Sequence, residues 1–270
     1  MKRASPPKRQ KREFMWKRRM PKRRFTVKKV QMPRVSPSFL PSSFTVMNMA
    51  CGYISIVMSS QENFVLAGWF IIFAALFDTL DGFVARLANA SSEFGVELDS
   101  LSDLVSFGAA PAFMVYKFGL DDFGGVYGVG MSSLIMIASA LRLARFNIQL
   151  VGFDKEYFSG LPTPAQAITL STYVIWVQSE QFYFADHLRE ITAILTIVLS
   201  ILMISTVQYE KFPKISAYEF KQAPVKMSVY ATAFIFIIIF QAKAFFIAML
   251  MYILFGFIKS LYFFFSEERA

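Results

Sequence analysis

FVLAGWFIIFAALFDTLDGFVARLANASSEFGVELDSLSD, residues 64–103, passes from an apolar run directly into four aspartates. Phe64 to Phe77 carries no charge and, with its small flanking residues, approaches the roughly 20 residues that a bilayer-crossing helix needs. Asp78, Asp81, Asp99 and Asp103 follow. A carboxylate where an apolar helix meets the membrane is costly unless its charge is compensated. One such aspartate would read as a helix cap at the membrane surface, whereas four in so short a stretch read as a site.

Their spacing organises them. Asp78, Asp81, Gly82, Ala85 and Arg86 fall at i, i+3, i+4, i+7 and i+8, one stripe of a helix, and Gly95, Asp99 and Asp103 form a second stripe at i, i+4 and i+8. A short connection around residues 88–94 predicts antiparallel neighbouring helices whose stripes face one another. Like charges so placed repel or take up protons unless cations sit between them, and an all-oxygen ligand set selects hard divalent ions such as Mg2+ or Mn2+. Asp78 and Asp81 also lie toward the negative, C-terminal end of their helix, which sharpens the need for a counter-cation. Gly82, Ala85 and Gly95 leave the groove without bulk, room for a nucleotide or diphosphate to approach the backbone. Arg86, one turn beyond, offers a planar donor to phosphate or carboxylate.

The rest of the chain is equally apolar: 55% of the 270 residues are hydrophobic and 17% charged, a balance foreign to an ordinary soluble domain. Further runs are ITAILTIVLSILMI (191–204) and AFFIAMLMYILFGFI (244–258). The reading is an all-α integral membrane protein of about eight transmembrane helices, at 41–60, 64–88, 96–117, 124–148, 163–179, 190–207, 226–242 and 244–264. The third and fifth are the least hydrophobic.

The single cysteine, Cys51, excludes an intrachain disulfide and a thiolate metal cluster. The single histidine, His187, lies in a polar connection far from the aspartates, so histidine-based acid/base chemistry and His-rich zinc sites are not expected. Residues 1–34 hold fifteen of the 28 Lys and Arg against one acid, Glu13, so the net charge of +9 belongs to this tail. Rich in proline and without apolar periodicity, residues 1–38 are expected to be a disordered basic tail in the cytoplasm. It would act as a positive-inside topology signal or rest on anionic lipid headgroups. No nucleic-acid-binding module follows it, and nucleic acid is not an expected partner. With this tail inside, eight spans return the C-terminus to the cytoplasm, and the four aspartates, Arg142 and Arg145 converge on the cytoplasmic face. The expected location is the cell (inner) membrane.

Asp78, Asp81, Gly82, Ala85, Arg86, Gly95, Asp99 and Asp103 match every fixed position of the CDP-alcohol phosphotransferase signature, D-x2-D-G-x2-A-R-x8-G-x3-D-x3-D. The chain therefore resembles that family. The stretches TVMNMACG (45–52), LDSLSDLVSFGAAPA (98–112), ALRLARFN (140–147) and FSGLPTPAQA (158–167) further resemble its serine-using branch in bacteria and archaea. The resemblance implies a six-helix catalytic core, here 39–210, followed by a connection and two additional helices in 211–270. It implies a homodimer and two divalent metal ions, with Asp78, Asp81, Asp99 and Asp103 as ligands and Asp103 also the base for the incoming alcohol. It implies that Gly82, Ala85, Arg86, Gly95 and Asn48 bind the CDP moiety. The implied reaction moves a phosphatidyl group from CDP-diacylglycerol to L-serine. Arg142 and Arg145, three residues apart on one helical face, are the candidates for holding the serine carboxylate. Glycerol 3-phosphate, inositol phosphate or choline as the alcohol is the alternative within the family. A cation transporter is the alternative outside it, disfavoured because the acids sit near one interface and no inverted repeat matches them.

Overall fold

The computed structural model describes residues 39–88, 93–150, 157–179, 185–210, 242–260 and 262. The basic tail, residues 211–225 and all but the last residue of the span predicted at 226–242 lie outside them. Eight helices organise the rest. They are α1 (Phe39–Ser60), α2 (Phe64–Ala88), α3 (Glu93–Asp103), α4 (Ala110–Val115), α5 (Gly125–Leu150), α6 (Thr163–Ser179), α7 (Leu188–Ile204) and α8 (Ala242–Ser260).

Each predicted span within the described residues is a helix, and that predicted at 163–179 has those bounds. The third is not a uniform rod. Between α3 and α4 the chain winds as a π-helix, Leu104–Ala109, and a second π-helical turn, Tyr116–Leu120, follows α4. In the first, Ala110 N–H bonds back five residues to the Val105 carbonyl. One departure from an all-helical chain is a two-stranded antiparallel pair, β1 (Tyr157–Ser159) with β2 (Gln208–Glu210), in which Phe158 faces Tyr209. Three-residue strands have no alternation long enough to read in sequence.

The packing is that of a membrane bundle. Its interior is small and hydroxylic, with Ser55, Ser59, Ser106, Ser139, Thr169, Ser171 and Thr192 fully buried, whereas Val126, Ile148 and Ile201 are well exposed. Small residues let helices approach closely where lipid, not water, is the alternative solvent, and apolar side chains then face outward. Gly68 shows the closeness: a Cβ there would lie 3.1 Å from the Ser171 carbonyl of α6. Among the described residues three helical segments are long and apolar enough to span a membrane, Phe64–Val84, Gly125–Ile148 and Ala242–Ser260. α6 and α7, at 17 residues each, are shorter.

α1 positions the site. A tight turn at Gln61–Asn63, with Glu62 at a positive φ of 60°, folds α2 back along α1. On its other side α1 packs against α3 and the π-helix that follows. The contact is tightest at Gly52, where a Cβ would meet the Ser106 Cα at 2.7 Å. Two hydroxyls lock the register: Ser102 Oγ donates to the Thr45 carbonyl (3.0 Å) and Ser106 Oγ to the Asn48 carbonyl (2.9 Å). The two aspartate-bearing helices were expected to pack as direct neighbours. Both pack on α1, and their stripes come together at the carboxylates.

Candidate active site

Asp78 and Asp81 sit near the C-terminal end of α2, Asp99 and Asp103 near that of α3. Carboxylate oxygens of Asp78, Asp99 and Asp103 all lie within 4.8 Å of one another. Three acids from two helices at this distance form a hard, all-oxygen donor set suited to a divalent cation. Asp81 stands beside them but is turned to α1, where its carboxylate accepts the hydroxyl of Thr45. It is buried. The expected set of four is thus a gathered group of three with Asp81 held by α1.

Asn48 comes from α1 as well. Fully buried, it donates from Nδ2 to Oδ1 of Asp103 at 3.3 Å, while its own Oδ1 has no partner among the described residues. The resemblance implies a CDP ligand at this position; the structure shows Asn48 orienting Asp103 and leaves one acceptor directed elsewhere. Gly82 follows Asp81 directly and Gly95 precedes Asp99 by one turn, so both lie at the acidic cluster, as expected. Ala85 and Arg86 continue the α2 stripe, but their side chains lie outside the described residues.

The other side of the site comes from α5 and α6. Arg142 is buried on α5, and its Nη1 donates to Thr163 Oγ1 at the first residue of α6 (3.3 Å). It also lies within electrostatic range of Asp103. A guanidinium out of water beside a carboxylate cluster offers a fork-shaped donor for a second carboxylate or a phosphate. Arg145 has a different contact, donating from Nη1 to the Ile204 carbonyl at the end of α7 (3.0 Å). That bond satisfies a terminal helix carbonyl and ties α5 to α7. Asn147, in the same stretch, donates to Ser100 Oγ on α3 (2.9 Å) and so closes α5 onto the aspartate-bearing helix. The segment before α6 is stitched to the same α7 end, through Leu161 N–H to Leu202 O (3.0 Å) and Gly160 N–H to Val207 O (2.9 Å). His187 lies in a short 3-10 turn ahead of α7, as its reading as a connection residue requires.

Thr45 and Thr163 are site residues that spacing alone did not single out. Each lies within a stretch that carried the resemblance, but its partner is more than twenty residues away.

A helical membrane bundle that gathers carboxylates at one end, with a buried arginine opposite, defines the class of integral membrane enzymes that act on charged lipid precursors. The chain belongs to the CDP-alcohol phosphatidyltransferase family, whose profile matches residues 38–202. A CDP-diacylglycerol--serine O-phosphatidyltransferase of Helicobacter pylori is 35% identical over 182 residues, 67% of this chain and 76% of that protein. An archaetidylserine synthase of Methanothermobacter thermautotrophicus is 37% identical over 175 residues, 64% of this chain and 70% of that protein. A CDP-diacylglycerol--serine O-phosphatidyltransferase of Saccharomyces cerevisiae is 40% identical over 134 residues, 44% of this chain and 48% of that protein. α8 lies beyond the family match.

Proposed function

We propose that the chain transfers the phosphatidyl group of CDP-diacylglycerol to the hydroxyl of L-serine, giving phosphatidylserine and CMP. The observation that carries this reading is the pairing of the three-carboxylate cluster with a buried arginine. The cluster suits the diphosphate end of one substrate, and the arginine suits the carboxylate of the other. The names of the relatives supply the same pair of substrates.

Two divalent ions, Mg2+ or Mn2+, held by Asp78, Asp99 and Asp103 with Asp81, would neutralise the diphosphate and stabilise the leaving CMP. The chain's own residues do the rest. Gly82, Ala85, Gly95 and Arg86 border the nucleotide, with the free Oδ1 of Asn48 an additional acceptor for it. Arg142 orients serine through its carboxylate. Asp103, held by Asn48, takes the proton from the serine hydroxyl as the oxygen attacks the phosphorus that bears the lipid. A new O–P bond forms, the bond to the bridging diphosphate oxygen breaks, and that oxygen leaves on CMP. The enzyme works as a homodimer in the cell (inner) membrane, with this face and both termini in the cytoplasm. Arg145 was paired with Arg142 as a serine ligand; its contact with Ile204 favours an anchoring role, and serine binding is assigned to Arg142 first.

The test is CMP release by the purified chain given CDP-diacylglycerol and, in separate reactions, serine, glycerol 3-phosphate, inositol phosphate and choline, with and without excess chelator. Serine should be the best substrate and chelation should stop turnover. Faster release with another alcohol would replace serine, and full turnover in chelator would remove the metal ions from the mechanism.

A further inference from the structure

Gln166 is fully buried on α6, and neither end of its amide has a hydrogen-bond partner among the described residues. An amide sealed in with both ends unmet costs more than the methionine that would fill the same volume, so this place calls for a polar occupant. Gln166 follows Thr163 by three residues, hence one turn further along the same side of α6. Thr163 is the residue that accepts from Arg142.

Helix register gives the residues at the same depth. Lys243 lies over the Trp176 ring, and Phe246 packs on both Trp176 and Tyr173, so α6 and α8 run antiparallel. Stepping back from Tyr173 to Gln166 and forward from Phe246 to Tyr252 moves about 10 Å in the same direction along the bundle. At that level Tyr252 packs on Tyr209 of β2, with ring centroids 5.7 Å apart. Tyr209 is fully buried, and its hydroxyl has no partner among the described residues. Tyr252 lies within electrostatic range of Arg142. The strand pair sets this layer, because Tyr209 faces Phe158 two residues before Gly160 and the start of α6.

We propose that Gln166, Tyr209 and Tyr252 wall a recess beside Arg142 that receives the ammonium group of an amino-acid substrate. Arg142 supplies only donors, which fits a carboxylate. The ammonium, with three N–H donors, needs what the recess offers: an amide oxygen, phenolic oxygens and aromatic faces. This inference rests on the serine reading and deepens it. It also gives α8, outside the family match, a part in choosing the alcohol.

The experiment compares serine with 3-hydroxypropionate, which keeps the hydroxyl and carboxylate but lacks the ammonium. It uses the full chain in detergent with Mn2+ and CDP-diacylglycerol. In the unaltered chain kcat/KM should favour serine by at least about 100-fold, as expected where buried polar groups are left unmet by the analogue. Gln166→Met should cut that ratio tenfold or more while leaving the KM for CDP-diacylglycerol within about twofold. Tyr252→Phe, which removes a single hydroxyl and decides the matter if Gln166→Met does not fold, should cut it about threefold or more. Serine-active variants with the original ratio, or with both KM values raised alike, would overturn the ammonium recess alone. An unaltered chain that ignores serine and uses another alcohol would overturn the serine reading and this proposal together.

Discussion

The two sides of the site are assembled in different ways. Asp78, Asp81, Asp99 and Asp103 come from two successive helices, at spacings that place them in stripes before any fold is known. The groups opposite, Arg142, Thr163, Gln166 and Tyr252, come from three helices and more than a hundred residues of chain. The acidic side is therefore a local pattern, while the side around Arg142 is a product of packing. On the function proposed above, the acidic side carries the phosphatidyl transfer and the other side selects the alcohol.

That division can be broken by substitution. The largest effect is expected for Asp103→Asn, which removes the proposed base and one of the gathered carboxylates together: kcat should fall about 10³-fold or more, read as CMP release with both substrates saturating. Arg142→Lys should act on the other side only, raising the KM for serine by about tenfold or more with that for CDP-diacylglycerol little changed, because an ammonium cannot rebuild a fork-shaped contact. A fall in kcat as deep as that of Asp103→Asn would mean that the two sides are not separate.

Smaller effects sharpen the same contrast. Gly52→Ala pushes a methyl into the Ser106 backbone where α1 seats both acidic helices, and should cost about 1–3 kcal/mol of stability in a thermal melt in detergent. Arg145→Ala loses one hydrogen bond to the end of α7. It should cost about 1 kcal/mol and leave the KM for serine unchanged. A raised serine KM would restore Arg145 to the pocket. Least of all, deleting residues 2–30 should leave kcat in detergent unchanged while weakening binding to anionic vesicles; equal binding before and after deletion would remove the tail's role at the lipid surface.

Particular residues show what could be read in the sequence. The α2 helix was legible from its apolar run, and the fifth span, although among the least hydrophobic, was placed at its bounds. The aspartate cluster was legible because helical spacing is arithmetic. The hold of Thr45 on Asp81 was not, since nothing local says that a threonine thirty-six residues earlier will reach that carboxylate. Asn48 entered through resemblance alone, and its bond to Asp103 gives a physical reason for its place. The spacing of Arg142 and Arg145 puts both on one helical face, but only packing decides that one meets Thr163 and the other the end of α7. Span seven falls largely outside the described residues, and the structure carries no statement on it.

The π-helical turn at Leu104–Ala109 bears on how this chain is to be lined up with its relatives. Such a turn holds one residue more than the α-helical turn it replaces, and the surplus is absorbed as a local bulge without displacing the helix on either side. A relative lacking one residue between Asp103 and Ala110 would thus keep its aspartates and its downstream core in place, the single-position gap marking a change of winding. Conversely, a periodicity counted straight through from Asp99 to Met114 slips by about one position. What the bulge disturbs is the phase of a helical stripe, whereas the low hydropathy of the third span is a matter of composition alone.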